Sequence, residues 1–186
     1  MSAILEIPEV RRRVSRLTVE EYHQLDEFNS NGRRTELIRG IVLEKTRKIP
    51  LHVGLAARLR NWLSDQLPGF VVWGDDPLTF KDSEPEPDIY VVRGSVGDFR
   101  DTHPTTAELV VEVAVSSPAL DRENASLYAE AGVKEYWIVL PSQRQIEIYT
   151  RPDQGRYQQV RTVGINETIE CTSVAGVRVR VVDLFA

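Results

Sequence analysis

Two short apolar segments, each interrupted by one carboxylate, constrain the fold of this chain most strongly. The segments are PDIYVV at residues 87–92 and LVVEVAV at residues 109–115, and their acids are Asp88 and Glu112. Both segments are rich in β-branched residues, which predicts two strands of a buried sheet. A carboxylate inside such a strand is costly to bury unless it is hydrogen-bonded, paired with a cation or bound to a metal. Two acids of this kind suggest one shared cation.

Helix and strand signals alternate around these two segments. Thr18 with Glu21 fits a capping box at the start of one helix. Pro50 opens a second helix, and residues 121–131 are typical of a third helix that precedes a strand at residues 135–140. The order of these elements predicts a mixed α/β (α+β) fold in which a central mixed β-sheet is flanked by helices.

Two further segments predict strands outside the centre of the sheet. TELIRGIVLE at residues 35–44 indicates a hairpin or bent strand around Gly40, and the alternation in VRVRVVDLF at residues 177–185 predicts an edge or returning strand. No repeat, linker or low-complexity block divides the chain. We therefore expect an N-terminal arm at residues 1–16 and a single domain at residues 17–186.

Composition limits the partners that such a domain can have. One cysteine, Cys171, excludes an internal disulfide framework and a cysteine-rich zinc cluster. The opening MSAILEIPEV makes a poor secretory signal, so the cytoplasm is the expected location. No apolar run approaches the roughly 20 residues that span a bilayer, and we expect no membrane partner. A formal charge of −5 argues against broad attraction to nucleic acid, but a local cleft with a metal can still bind it.

Carboxylates in this setting suit Mg²⁺ or Mn²⁺, which prefer oxygen ligands and leave positions open to water and substrate. A cation held by Asp88 and Glu112 can orient a water, lower its pKa and stabilise charge on a phosphate. The alternative is structural: Asp88 caps a turn after Pro87, and Glu112 pairs with an arginine. The spacing of the two acids alone leaves both interpretations open.

The helix predicted after the second acidic strand carries polar groups on its inward face. Residues at helical spacing share that face: Leu120, Asn124, Leu127, Tyr128 and Ala131. The pattern therefore directs Asn124 and the Tyr128 hydroxyl toward the sheet near Glu112. Buried amides usually have hydrogen-bond partners, so a structural role for Asn124 is the alternative to a functional one.

Three segments together resemble a known family. EPDIYVV, ELVVEVAVSS and DRENASLYAEAGVKEYWIV are similar to the Uma family of putative restriction endonucleases, a family expanded in cyanobacteria that belongs to the PD-(D/E)xK nuclease superfamily. The resemblance extends from Leu17 to about Tyr149. It implies a restriction endonuclease-like core and hydrolysis of DNA phosphodiester bonds with Mg²⁺ or Mn²⁺. Since nucleases that cut two strands often act in pairs, it also implies a homodimer.

The resemblance assigns roles to individual positions. Asp88 matches the acid of the first half of the family motif and Glu112 the acid that begins the second half, so both become metal ligands, with Val113 as a third position of the metal site. Glu36 matches an acid that adds a ligand or orients a water. His52 matches a histidine near the start of the following helix, and its role stays open.

The chain departs from the family pattern at the lysine. Ala114 stands two residues after the second acid, and alignment on LYAEAG moves the lysine position to Asn124. Asparagine carries no charge, although it can hydrogen-bond a water. Lys134 and Lys81 are other candidates, and Asp121 matches an aspartate that we expect to cap a helix. The departure predicts a weakened nuclease or, as the alternative, a catalytically degenerate nuclease-fold protein that acts in DNA binding or protein assembly.

Overall fold

The structure of this chain is a computed structural model that describes residues 7–26, 33–116 and 118–185. It divides into two compact units. The first unit contains Met1–Lys45 and Lys81–Pro85, and the second contains Thr46–Phe80 and Glu86–Ala186. The single domain expected at residues 17–186 stays a prediction. No helix in the described ranges is long and apolar enough to cross a membrane.

The first unit is built around a short hairpin. Its elements are α1 (Pro8–Arg11), α2 (Val19–Asp26), β1 (Thr35–Ile38) and β2 (Ile41–Glu44). The antiparallel strands β1 and β2 are joined by Arg39 and Gly40, both with positive φ. A Cβ on Gly40 would lie 2.6 Å from the Cβ of Arg16, so this turn requires glycine. The capping box is present before α2, since the Thr18 N–H donates to the Glu21 carboxylate over 2.8 Å.

The second unit contains the central sheet. Its elements are α3 (Pro50–Gln66), β3 (Phe70–Trp73), β4 (Ile89–Arg93), a short 3-10 helix (Val96–Phe99), β5 (Leu109–Val113), α4 (Pro118–Glu130), β6 (Glu135–Leu140), β7 (Gln145–Asp153), β8 (Arg156–Gly164), β9 (Thr168–Glu170), β10 (Arg178–Arg180) and α5 (Val181–Leu184). Six of the described strands form one sheet in the order β3-β4-β5-β6-β7-β8. β5 and β6 are parallel and connected through α4, whereas the other neighbours are antiparallel. The predicted mixed sheet is confirmed.

Alternate residues of the sheet enter two separate apolar clusters. In one cluster Val111 of β5 packs with Leu59 and Leu63 of α3. In the other cluster Val110 of the same strand packs with Tyr128 of α4. Burial on both faces explains why the sequences of β5 and β6 are almost continuously apolar. The flanking helices predicted from the sequence are thereby confirmed.

The C-terminal segment differs from its prediction. β10 pairs with β9 in a separate two-stranded sheet, and α5 begins immediately afterwards at Val181. Val181 and Leu184 are 0% and 5% exposed. A helical turn buries residues three apart on one side, whereas a strand would turn one of them outward. The strand predicted over residues 177–185 is therefore wrong beyond Arg180.

A buried carboxylate fastens this C-terminal part to the central sheet. Glu135, the first residue of β6, is 0% exposed. Its Oε1 accepts a hydrogen bond from Trp137 Nε1 at 2.7 Å, and its Oε2 accepts bonds from the Thr172 N–H and hydroxyl at 2.7 Å and from the Ser173 N–H at 3.0 Å. The four donors compensate the burial of the charge.

We expect Glu135→Gln to lower the free energy of unfolding by about 3 kcal/mol, because the amide nitrogen would face donors in a site that excludes water. Urea unfolding of the variant measures this change. Glu123→Gln, on the exposed side of α4, is the matched control and should change stability by less than about 0.5 kcal/mol. Equal stability of the two variants would contradict the anchoring role of Glu135.

Candidate functional site

The pairing of β4 with β5 brings the two predicted acids together. Ile89 pairs with Val111, and continuing the antiparallel register by one residue sets Asp88 opposite Glu112. The Asp88 N–H donates to Glu112 Oε2 at 3.2 Å, and the Val113 N–H donates to Asp88 Oδ2 at 2.8 Å. Backbone groups of adjacent strands therefore hold both carboxylates at one place near the middle of the sheet.

Two cationic or proton-carrying side chains contact Asp88 directly. Lys48 Nζ lies 2.8 Å from Asp88 Oδ1, and His52 Nε2 lies 2.8 Å from Asp88 Oδ2. Since a carboxylate only accepts hydrogen bonds, Nε2 of His52 carries a hydrogen. His52 Nδ1 is buried and has no hydrogen-bond partner within the described ranges. The family histidine thus has an observed contact: it donates to the first acid.

A tight turn adds a further carboxylate. Lys48 also contacts the side chain of Asp75. The backbone of Asp75 has a positive φ of 63°, and its N–H donates to the Pro87 carbonyl at 3.0 Å. A Cβ on Gly74 would lie 2.6 Å from the Asp88 carbonyl oxygen, so only glycine allows this approach of the two backbones. The turn therefore holds the Asp75 side chain in contact with the Lys48 ammonium.

Sequence reasoning missed Lys48 and Asp75. Both lie in irregular segments, one before α3 and one after β3, where no hydrophobic period marks which residues face the site. The available signals were weak: Lys48 stands four residues before His52, and Gly74 precedes Asp75. Neither signal points to a charged contact without knowledge of the strand order.

Helix α4 supplies a hydrogen bond to the second acid. The Tyr128 hydroxyl donates to Glu112 Oε1 at 2.9 Å, which confirms that this face of the helix is directed toward Glu112. Asn124 lies one turn earlier on α4 and is 6% exposed, as the predicted inward face requires. Leu120, expected on the same face, is 39% exposed, so that part of the prediction is wrong. The inward face begins one turn later than the spacing predicted.

The predicted helix cap at Asp121 is also wrong. α4 begins at Pro118, which makes Asp121 the fourth helical residue and places it inside the first turn. Proline suits this first position because it needs no N–H partner there. The Asp121 carbonyl accepts a hydrogen bond from the Tyr136 hydroxyl at 2.9 Å, which ties the start of α4 to β6.

The other candidates have different surroundings. Glu36 belongs to β1 in the first unit, where its carboxylate lies 3.9 Å from Lys45 Nζ, and its role as an auxiliary acid stays a prediction. Lys134 is 58% exposed and pairs with Glu108 at 2.7 Å, as a surface residue does. Lys81 is exposed in the first unit.

Electrostatics favour the charged forms of Asp88 and Lys48. Burial raises the pKa of Asp88, but the hydrogen bonds from His52 and Lys48 outweigh burial and lower the pKa to about 2. Burial lowers the pKa of Lys48, but the contacts with Asp75 and Asp88 outweigh that effect and raise it above the usual value. Near neutral pH the site therefore contains an ionised Asp88 next to a protonated Lys48.

The donor chemistry of the site fits a hard divalent cation. No group of three or more His, Cys, Asp or Glu side chains in the described part of the chain forms a metal cage. Mg²⁺ does not need one, since it is commonly held by one or two carboxylates and retains several waters. Asp88 and Glu112 present such a pair of oxygen donors on neighbouring strands.

Comparison with known proteins gives a family and a fold. A model of the Uma2 family, described as putative restriction endonuclease, matches residues 19–182. The crystal structure of a putative nuclease belonging to DUF820 from Anabaena variabilis superposes with a TM-score of 0.77 at 16% identity, over 91% of this chain and 97% of that one. At this identity the likeness shows a common fold. A search of curated proteins found no match.

We expect the Asp88 carboxyl to titrate with a midpoint near 2 rather than near its ordinary value of 3.8. Because the folded pKa is the lower one, ionised Asp88 contributes stability above about pH 4 that is lost as the pH falls through 2. NMR of the side-chain carboxyl carbon measures the midpoint. A midpoint near 3.8 would show that Lys48 and His52 do not outweigh burial.

Proposed function

The chain belongs to the Uma2 family of putative restriction endonucleases, and from this premise we propose that it is a magnesium-dependent endonuclease that hydrolyses DNA phosphodiester bonds. The observation that carries the proposal is the contact between Asp88 and Glu112 across β4 and β5, with the Asp88 N–H 3.2 Å from the Glu112 carboxylate. The strand register sets the two acids opposite each other, an arrangement in which both carboxylates can hold one divalent cation. Lys48 supplies one positive charge next to Asp88.

Asp88 and Glu112 would hold Mg²⁺ or Mn²⁺, with Val113 as the third position. The Val113 side chain has no donor atom, so only its carbonyl could serve. A bound cation would lower the pKa of a water and offset the charge that develops on the phosphate. Glu36 is the proposed auxiliary acid.

Hydrogen bonds fix the orientation of the Asp88 and Glu112 carboxylates before a ligand binds. The Val113 N–H and His52 fix one oxygen of Asp88, and the Tyr128 hydroxyl fixes one oxygen of Glu112. Side chains held in this way lose little conformational freedom when a ligand binds, so preorganisation supports the proposed site. His52 and Tyr128 are therefore positioning residues in this proposal.

The net charge of the chain is −5, so its overall electrostatic field repels phosphate. The affinity for DNA therefore has to come from contacts at the local site. Contact through a metal and a neighbouring ammonium does not require a basic surface. A homodimer, in which each copy cuts one strand, and a cytoplasmic location remain predictions from the sequence.

A second candidate function is a degenerate nuclease fold that binds DNA or takes part in protein assembly. Asn124 favours it, since a buried, uncharged amide stands where the family pattern has a lysine. Cleavage by Asn124→Lys together with an inactive parent chain would indicate a vestigial site and replace the first proposal by the second. Gel assays of both proteins on the same plasmid make this comparison.

We expect Asp88→Ala and Glu112→Ala each to reduce cleavage of supercoiled or branched DNA by at least about 100-fold with Mg²⁺ or Mn²⁺, since each substitution removes a proposed ligand of the cation. Rates of plasmid nicking measure the loss. Glu123→Ala on the exposed side of α4 should cut at the parent rate. Turnover that survives both site substitutions would rule out this site.

A further inference from the structure

We infer that Lys48 supplies the positive charge of the reaction that Asn124 cannot, an inference that rests on the proposed nuclease function. The geometry points to it directly: the Lys48 ammonium lies 2.8 Å from Asp88 Oδ1 and also contacts Asp75. It belongs to the segment between β2 and α3, outside both elements that carry the family motif. Lys48 therefore approaches Asp88 from a segment that the family motif does not include.

The surroundings of Lys48 leave it able to reach a substrate. Its side chain is 20% exposed, so the ammonium is neither enclosed in the core nor free on the surface. An ammonium has three N–H donors, and its two carboxylate contacts, with Asp75 and Asp88, use two of them. The third donor can bind a non-bridging phosphate oxygen next to the proposed metal ligands.

Other lysines do not offer this placement. Lys134 forms an exposed pair with Glu108, and Lys45 pairs with Glu36 in the first unit. An exposed ion pair such as that of Lys134 contributes little to stability, and Lys45 lies 3.9 Å from the proposed auxiliary acid Glu36. Lys48 alone among these three lysines contacts a proposed metal ligand.

The chemistry requires no change in the charge of Lys48. In the hydrolysis, the oxygen of one water bonds to phosphorus, and the bond between phosphorus and the leaving ester oxygen breaks. One water proton is released to solvent, and the leaving oxygen takes a proton to become an alcohol. Lys48 remains protonated and donates to the phosphate oxygens, whose negative charge grows in the transition state.

The alternative is that Lys48 only neutralises Asp88. Two carboxylates contact its ammonium, those of Asp75 and Asp88. A purely neutralising lysine would compete with a divalent cation for Asp88, so its removal would raise both metal binding and cleavage. A catalytic lysine would likewise oppose the cation, but its removal would lower cleavage. The two roles therefore predict opposite changes in rate.

The test compares Lys48→Met with the parent chain in plasmid cleavage and in Mn²⁺ binding, with free Mn²⁺ followed by electron paramagnetic resonance. We expect cleavage to fall about 100-fold, while Mn²⁺ binds at least as tightly as before because the ammonium no longer repels it. Lys134→Met is the matched control and should change neither quantity. Thermal unfolding checks that the variants fold.

A second experiment moves the lysine from position 48 to position 124. We expect Lys48→Met combined with Asn124→Lys to recover at least about tenfold of the lost cleavage, because the charge returns from α4. If Lys48→Met does not fold, Lys48→Arg carries the test. It keeps the charge between Asp75 and Asp88, and the wider guanidinium should still lower cleavage at least about tenfold.

Three results would overturn the inference. Unchanged or faster cleavage by a folded Lys48→Met, while the parent chain cuts DNA, would reject Lys48 and leave the nuclease proposal intact. A loss of Mn²⁺ affinity as large as the loss of cleavage would make Lys48 a support for Asp88. A parent chain that does not cut would reject both proposals together.

Discussion

The antiparallel pairing of β4 with β5 is the constraint on which the site depends. Once Ile89 pairs with Val111, the next residues in the ladder are two acids that face each other. Asp88 is only 9% exposed, so the sheet can form only if other groups compensate its charge. Three groups donate hydrogen bonds to the Asp88 carboxylate and compensate its charge. They are the backbone N–H of Val113 in β5, and the side chains of Lys48 and His52 from the segment around the start of α3. The stability of this strand pairing therefore depends on the polar groups around Asp88.

The connection from β5 through α4 to β6 determines how the second acid is held. A parallel pair of strands requires a crossover, and here the crossover helix lies on the face to which Glu112 points. Tyr128 consequently reaches Glu112 from the helix, while Tyr136 of β6 ties the first turn of the same helix to the sheet. One supersecondary unit provides the second acid, the hydroxyl that orients it and the buried position of Asn124.

Sequence patterns predicted most of the regular strands and helices, which depend on the periodicity of apolar residues. They did not predict the contacts made by irregular backbone segments. The strands around Asp88 and Glu112 follow from their runs of β-branched residues, the mixed sheet from the order of the elements, and the inward turn of Tyr128 from helical spacing. Asp75 could not be found in this way, because its place beside Lys48 depends on a positive φ and on a glycine contact between two loops. The C-terminal helix was missed because VRVRVVDLF alternates like a strand for its first residues, and burial decides its second half.

In the role proposed for Lys48, the positive charge of the site comes from a segment outside the family motif. The interaction of an ammonium with a phosphate depends on their separation and on the local dielectric, and not on the element that carries the side chain. Two backbone features adjoin Asp88: the pairing of β4 with β5, and the turn at Gly74. Lys48, from the segment before α3, contacts two carboxylates there. If Lys48 supplies the charge as proposed, a neutral residue at position 124 is compatible with an active site.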